Sequence, residues 1–162
     1  MKAKVFVLML LLVIAASSVE CYAECPLVSE DYLFITKAVP PAEQDKDAIY
    51  VSETGGIAKS YDIESCTATS VSITFDAAQY TQALGAATVS FKIYSGKNMI
   101  GTKTFPIDNI LLAWQDLRNS AKMKKYTANI KLSGKGTPTK LDIKAVAGNW
   151  AVVINNLEVT FQ

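Results

Sequence analysis

The sequence contains no histidine, and this absence excludes more chemistry than any other feature of its composition. Without an imidazole, Ser-His-Asp and Cys-His catalysis, histidine general bases and the usual zinc sites are all ruled out. Neither a P-loop nor a GxGxxG turn occurs, so the common phosphate-binding loops are also lacking. The acid–base chemistry that remains is a pair of carboxylates flanking a cleft, as in glycoside hydrolysis.

Long apolar runs are also scarce, and the single clear one stands at the N-terminus over residues 5–16. It follows two lysines and precedes a short segment that ends at Ala23. This pattern is typical of a secretory signal peptide, and the run is shorter than the roughly 20 residues that a membrane span needs. We therefore predict a signal peptide over 1–23, a single domain over 24–162, and a secreted or periplasmic location.

Cysteine is rare too, and two of the three cysteines remain after the predicted cleavage, Cys25 and Cys66. In an oxidising compartment two cysteines most simply form one disulfide, with a free thiol pair as the alternative. Closing a loop of this length stabilises a fold by roughly 4 kcal/mol in the chain-entropy model. The bridge would hold the irregular stretch 25–69, which is interrupted by prolines and glycines.

Strict alternation of apolar and polar residues dominates the rest of the chain and is typical of half-buried antiparallel strands. A turn at 95–98 predicts a hairpin, and the apolar run 150–154 predicts a central strand covered on both faces. Residues 155–156 interrupt the last strand as a bend or bulge. The predicted extended segments are 31–36, 48–52, 70–75, 88–94, 99–105, 126–133, 140–147, 150–154 and 157–161.

One region breaks the two-residue period. Between 107 and 125, apolar residues recur at helical spacing, Asp108 can cap the start, and lysines gather at the end. We predict an amphipathic α-helix there, packed across one end or face of a sheet. Residues 76–85 could form two helical turns or a loop. The predicted fold class is mainly β, an antiparallel, jelly-roll-like β-sandwich with this one helix.

Aromatic residues make up 9% of the chain, so each one outside the core is a candidate contact for a ligand. Sugar rings stack on exposed aromatic faces, while neighbouring amides bond the hydroxyl groups. By alternation Tyr94 lies on the polar side of its strand, near Asn98 in the hairpin turn. Trp150 follows Asn149 at a strand entrance, and a position in the core is favoured over contact with a ligand. The candidate ligand-binding residues are therefore Tyr94, Asn98, Asn149 and Trp150.

Three carboxylates lie close together in the acidic stretch before the second extended segment, at Glu43, Asp45 and Asp47. Carboxylate oxygens at such spacing can hold calcium in an extracellular domain, although the glycine and distal glutamate of an EF-hand are lacking. The group is either a structural calcium site or a solvated acidic loop. No other cofactor is expected.

The strand sequences VSFKIYSGKNMIGTKTF and TKLDIKAVAGNWAVVINNLEVTF carry a family resemblance. They look like the closing half of galactose-binding-like jelly rolls, the fold of many carbohydrate-binding modules. The resemblance covers about 88–161 and includes the hairpin and the final strand. It implies a sandwich that binds glycans with loops at one end, sometimes with a structural calcium ion.

Three functions follow from these observations. The first is a non-catalytic binding module with glycans as the ligand. The second is an adhesin or surface-assembly subunit, because residues 24–76 hold ten acids against three lysines, while residues 77–162 hold four acids against eleven basic residues. The third is a small secreted hydrolase. Nucleic acid is not an expected partner, because aromatic and basic residues are not interleaved.

Overall fold

The computed structural model of this protein describes residues 25–36, 48–50, 56–64, 66–80, 86–134, 137–146 and 151–162. This part of the chain forms ten β-strands and two 3₁₀ turns, Trp114–Asp116 and Ser120–Lys122. In chain order the strands are β1 (Val28–Thr36), β2 (Ala48–Tyr50), β3 (Ile57–Asp62), β4 (Ser70–Tyr80), β5 (Ala87–Ser95), β6 (Asn98–Ile107), β7 (Leu111–Leu112), β8 (Lys124–Lys131), β9 (Lys140–Val146) and β10 (Ala151–Phe161). The predicted signal peptide lies outside the described residues. Among the residues that are described, no helix is long and apolar enough to cross a membrane.

The strands form two sheets. Sheet A has the order β2-β1-β10-β4, and the far edge of β4 pairs first with β8 and then, at its C-terminal end, with β7. Sheet B has the order β3-β9-β5-β6. All pairings are antiparallel except the two short ones, β1 with β2 and β4 with β7. The predicted hairpin is confirmed as β5–β6, and the predicted central strand is confirmed as β10, which lies between β1 and β4.

The main core lies between the sheets and consists of the apolar residues that alternate along each strand. At its centre, the ring of Phe75 on β4 contacts Phe91 of β5 and Phe105 of β6, with centroid distances of 5.4 and 5.0 Å. Tyr126 of β8 stacks on the same ring at 5.3 Å. Because these four rings come from both sheets, they join the sheets into the predicted β-sandwich.

The predicted helix over 107–125 is wrong. After β6 ends at Ile107, the chain forms β7 and the two 3₁₀ turns before β8 begins. This connection, residues 108–123, is called the crossover below. It lies on the outer face of sheet A, where it forms a second, smaller apolar cluster with residues of the strands. Its buried members are Phe34, Ala78, Leu112, Leu117, Ala151 and Val153. The helical spacing in the sequence therefore reflects side chains that cover one face of a sheet.

Hydrogen bonds with β4 explain why the crossover does not become a helix. The backbone N–H of Gln79 donates to the carbonyl of Ile110 at 2.9 Å, and the Gln79 side-chain amide donates to the carbonyl of Ile107 at 3.3 Å. Gln79 and Tyr80 also pair in parallel with β7. These contacts take carbonyl groups that a helix would need for its own bonds. They also keep β4 extended as far as Tyr80, so the helical alternative for 76–85 is wrong up to that residue.

The charged residues expected at the helix ends have other partners. Asp108, predicted as a helix cap, instead forms an ion pair with Lys124, with 2.6 Å between the carboxylate oxygen and the ammonium nitrogen. Lys122 pairs with Asp116 at 2.9 Å. Two of the lysines predicted to lie at the end of a helix dipole therefore form ion pairs within the crossover, Lys124 between its start and the beginning of β8 and Lys122 between the two 3₁₀ turns.

A β-bulge interrupts β10 at the predicted position. The register between β10 and β4 shifts between Asn155 and Glu158, and Asn156 has a positive φ of 51°. The Asn156 side-chain amide donates to the Asp76 carboxylate and to the Ser120 hydroxyl, both at 2.9 Å. The bulge thereby attaches the second 3₁₀ turn to sheet A.

We expect Asn156→Ala to lower the free energy of unfolding by about 2 kcal/mol, because alanine is unfavourable at positive φ and a buried Asp76 oxygen loses its donor. Urea unfolding measures this change. Asn156→Gly is the matched control, since glycine adopts the same φ freely and removes only the hydrogen bonds. Stabilities of both variants equal to that of the unsubstituted protein would contradict the role assigned to the bulge.

On the side where β1 faces β3, covalent and ionic contacts join the two sheets. The predicted disulfide between Cys25 and Cys66 is present. Glu30 of β1 forms an ion pair with Lys59 of β3 and accepts a hydrogen bond from the Tyr61 hydroxyl at 2.7 Å. Burial raises the pKa of Tyr61 well above its ordinary value, and the hydrogen bond and charge of Glu30 raise it further. The hydroxyl therefore stays protonated, and remains a donor to Glu30, above the pH at which an ordinary tyrosine ionises.

Candidate functional site

The outer face of sheet B is mostly polar and largely exposed to solvent, with Ile57 and Met99 as its exposed apolar members. It is built from the residues of β5 and β9 that alternate with core residues, and the strand register arranges them in rows. One row contains Asp62, Lys140, Tyr94 and Met99. The second contains Ser60, Asp142, Lys92 and Thr102, and the third contains Ile57, Lys144, Ser90 and Thr104.

Tyr94 stands at the end of this face, next to the hairpin turn. Its side chain is half-buried, Met99 opposite it is 51% exposed, and the Lys140 ammonium lies 5.6 Å from the ring centroid. Gly96 has a φ of 57°, which suits the first central position of a type II′ hairpin turn. The Gly96 N–H donates a hydrogen bond to the Thr139 hydroxyl at 2.8 Å. The Thr139 N–H in turn donates a hydrogen bond to the Tyr94 carbonyl, also at 2.8 Å. These bonds attach the turn to the chain just before β9 and fix the position of Tyr94.

Asp142 lies at the centre of the same face and is only 2% exposed. Its carboxylate accepts a hydrogen bond from the Ser60 hydroxyl and pairs with the Lys140 ammonium at 3.0 Å. A buried carboxylate needs such partners, since leaving it unpaired is costly. Asp142 therefore orients Lys140, whose side chain remains 38% exposed beside Tyr94.

A concavity of about 360 Å³ lies on sheet A, lined by Ser29, Glu30, Asp31, Tyr32 and Arg118. The Arg118 guanidinium carbon lies 3.9 Å from the centroid of the Tyr32 ring, so a cation already covers this aromatic face. Glu30 is engaged by Lys59 and Tyr61. Tyr32 and Glu30 of the concavity are therefore already engaged by contacts within the fold.

The buried carboxylates of the described residues do not form a catalytic pair. Asp142 lies on the outer face of sheet B, whereas Asp76 lies on the outer face of sheet A and accepts a bond from Asn156. Both are held by hydrogen bonds. A glycoside hydrolase needs two carboxylates on either side of one cleft. In the part of the chain that the structure describes, His, Cys, Asp and Glu form no group of three able to hold a metal ion.

Two of the four predicted ligand-binding residues lie in the described part of the chain, but the register does not place them in one row, because Asn98 pairs with Ser95 and Met99 stands opposite Tyr94. Tyr94 and Asn98 stand on either side of the β5–β6 turn, and Asn98 is exposed. Asn149 and Trp150 lie outside the described residues, as do the three carboxylates Glu43, Asp45 and Asp47. The roles predicted for those five residues remain predictions.

Sequence reasoning overlooked the lysines and the carboxylate of the face, namely Lys92, Lys140, Asp142 and Lys144. Their alternation in FKIY and TKLDIK does predict polar sides of two strands. That these two polar sides form one surface depends on the pairing of β5 with β9, about 50 residues apart in the chain. Strand pairing at this separation leaves no signal in a single sequence.

No protein-family model and no curated protein sequence matches this chain. Among solved structures, it is similar to a carbohydrate-binding module of Cellvibrio mixtus lichenase 5A in complex with cellotriose, at 20% identity, with 67% of this chain and 69% of that one covered and a TM-score of 0.37. It is also similar to the C-terminal carbohydrate-binding module of the laminarinase LamC from Zobellia galactanivorans, at 12% identity, with coverage of 87% and 94% and a TM-score of 0.35.

A third similar structure is the enzymatically active domain of tailspike protein 4 from bacteriophage CBA120, at 8% identity and a TM-score of 0.43. It is matched over 86% of this chain and 20% of the tailspike. The resemblance to carbohydrate-binding modules predicted from the strand sequences is thus found among solved structures as well. At these TM-scores, the likenesses assign neither a family nor a ligand to this chain.

Proposed function

We propose that this protein is a secreted or periplasmic, non-catalytic module that binds glycans on the outer face of sheet B. The observation that carries the proposal is the position of Tyr94, an aromatic ring on an open polar sheet face. Lys140 and Met99 lie beside it in the same row. Hydroxyl and ammonium groups of the neighbouring rows can bond sugar hydroxyls, while the ring packs against the apolar face of a sugar.

The shape of this face suits an extended polymer better than a small molecule. Four strands contribute to it, and its side chains are arranged in rows that run across all four. Small-molecule sites are usually concave and bury most of the ligand. A polysaccharide can instead lie across the strands and contact several rows at once.

The disulfide supports the proposed secreted or periplasmic location. A disulfide persists in an oxidising compartment, which is where the predicted signal peptide would send the chain.

Structural calcium at Glu43, Asp45 and Asp47 is a further proposal. Chelation of calcium would lower the melting temperature if that site exists and would leave it unchanged if the loop is only solvated.

We expect Tyr94→Ala to weaken glycan binding about tenfold, because a stacked aromatic ring contributes roughly 1–2 kcal/mol through buried area and ring contacts. A glycan array identifies the ligand, and titration calorimetry measures the dissociation constant of each variant. Tyr94→Phe keeps the ring and should bind nearly as well as the unsubstituted protein. Trp150→Ala and Asn149→Ala, measured in parallel, test the other two predicted contacts.

Thr127→Ala is the matched control, because Thr127 is exposed on the outer face of sheet A, on the opposite side of the sandwich. It should bind as well as the unsubstituted protein. A folded protein that binds no glycan on the array would contradict the proposed function. Unchanged affinity in Tyr94→Ala would place the binding site elsewhere on the molecule.

A further inference from the structure

Three lysines surround Asp142 on the outer face of sheet B. Lys92 lies directly opposite Asp142, on β5. Lys140 and Lys144 lie two residues to either side of it along β9, so each is a diagonal neighbour of Lys92. Diagonal neighbours in an antiparallel pair are about 7–8 Å apart. Three positive charges are therefore concentrated around one carboxylate.

That carboxylate compensates only part of the charge. Asp142 is buried and already pairs with Lys140 and Ser60. Among the described residues, no carboxylate lies within ion-pair distance of Lys92 or Lys144. Asp62, in the row of Lys140, forms no ion pair with it either. The centre of the face therefore has an excess of positive charge, and neighbouring like charges on a sheet are unfavourable unless an anion lies between them.

We infer that the glycan bound by this face is anionic, a polysaccharide whose carboxylate or sulfate groups lie between Lys92 and Lys144 while a sugar ring stacks on Tyr94. This inference rests on the proposed function and names the class of its ligand. Ammonium groups are donors without an acceptor, so they match an anionic group better than a neutral hydroxyl. A single-stranded nucleic acid carries negative charge as well, but its bases stack on several aromatic platforms, whereas the three rows of this face contain one aromatic residue, Tyr94. A duplex is distinguished by the experiment below.

Two matched ligand pairs test the inference with the full chain. Polygalacturonate and its methyl ester share one sugar backbone and differ in carboxylate charge, while dextran sulfate and dextran differ in sulfate groups. We expect binding to at least one charged member and at least tenfold weaker binding to its neutral partner. The pair that shows the difference distinguishes carboxylate from sulfate recognition. Binding should also weaken as salt rises, since the screening length falls from about 10 Å at 0.1 M to about 3 Å at 1 M.

The double variant Lys92→Gln/Lys144→Gln should lose about tenfold in affinity for the charged ligand, since each exposed ion pair contributes up to about a factor of five. Its affinity for a neutral glycan should fall much less, because glutamine still donates a hydrogen bond to a sugar hydroxyl but carries no charge to pair with an anion. The matched control is Lys125→Gln/Lys131→Gln, which removes two exposed lysines from the outer face of sheet A. That control should bind the charged ligand as well as the unsubstituted protein.

The contrary outcomes separate the inference from the function on which it rests. Equal affinity for the charged and neutral members of both pairs overturns the inference and leaves glycan binding in place. Absence of binding to every polysaccharide overturns both. Equal losses in the two lysine double variants, or binding to duplex DNA as tight as to the charged glycan, would show attraction to any polyanion and would also overturn the inference.

Discussion

Phe75→Ala is expected to lower the free energy of unfolding by about 3–5 kcal/mol, the range observed when a buried aromatic residue is truncated. The side chain is fully buried at the centre of the main core. It contacts three other rings, those of Phe91 and Phe105 in sheet B and Tyr126 in sheet A. Alanine would leave a cavity between the sheets and would remove the ring contacts that join them. Urea unfolding followed by tryptophan fluorescence measures the loss.

Phe75→Leu is the matched control, because leucine fills most of the space and removes only the ring contacts. It should cost much less than alanine, and a double-mutant cycle with Phe91→Leu isolates the aromatic coupling of about 0.5–1.5 kcal/mol. Thr74→Ala, one residue earlier on the outer face of β4, should change stability by less than about 0.5 kcal/mol. A cost for Phe75→Ala no larger than that of Thr74→Ala would contradict the central role of the ring cluster.

The strands that the sequence predicts best are those with one buried and one solvated face. In β5, Val89, Phe91 and Ile93 are buried and alternate with half-exposed residues, so the two-residue period is read directly. The strand β10 was predictable for a different reason. Its residues 151–154 are all buried, because the crossover covers the outer face where the main core does not.

The edge strand β3 was not predicted, and its burial explains why. Along Ile57–Asp62, none of the residues is fully buried, so the apolar period that marks a strand is absent. Its position depends on pairing with β9, through backbone bonds that any sequence can make. Edge strands of this kind are specified by the sheet that they join more than by their own residues.

The prediction of a helix in the crossover failed for the opposite reason. The periodic spacing of its apolar residues was clear, but two different structures can produce that spacing. A helix and an irregular segment that covers a sheet both need apolar residues on one side. The choice depends on Gln79, which donates from its backbone and its side chain to the crossover. Gln79 belongs to β4, about 30 residues earlier, so local propensity in the crossover could not reveal it.

The candidate site was predictable only in its aromatic part. Tyr94 and Asn98 belong to one hairpin, and a hairpin is a local structure whose sides can be read from alternation. Lys144 and Asp142 reach the same face through the pairing of β9 with β5, which is a long-range contact. The residues that set the charge of the face, and with it the inferred class of ligand, therefore became visible only in the folded structure.

Removing the disulfide is expected to cost about 4 kcal/mol, close to the effect of Phe75→Ala. Cys25 and Cys66 are 41 residues apart, and in the chain-entropy model a loop of this size restricts the unfolded chain by about that amount. The bond joins the chain just before β1 in sheet A to the chain just after β3 in sheet B. The double variant Cys25→Ala/Cys66→Ala avoids a free thiol and a buried hydroxyl. Urea unfolding measures its free energy of unfolding against that of the unsubstituted protein.

Reduction of the unsubstituted protein is the control that distinguishes the effect of breaking the disulfide from the effect of replacing the two cysteine side chains. The unsubstituted protein in reductant should lose as much stability as the double alanine variant, and the variant itself should not respond to reductant. If the loss arises in the unfolded state, the slope of the free energy against urea should rise, because the unbridged unfolded chain exposes more surface. A protein that reacts fully with a thiol reagent before reduction would contradict the bond itself. Because Tyr94 and Lys92 lie on β5, away from the bridged side, glycan affinity of the folded variant should remain unchanged.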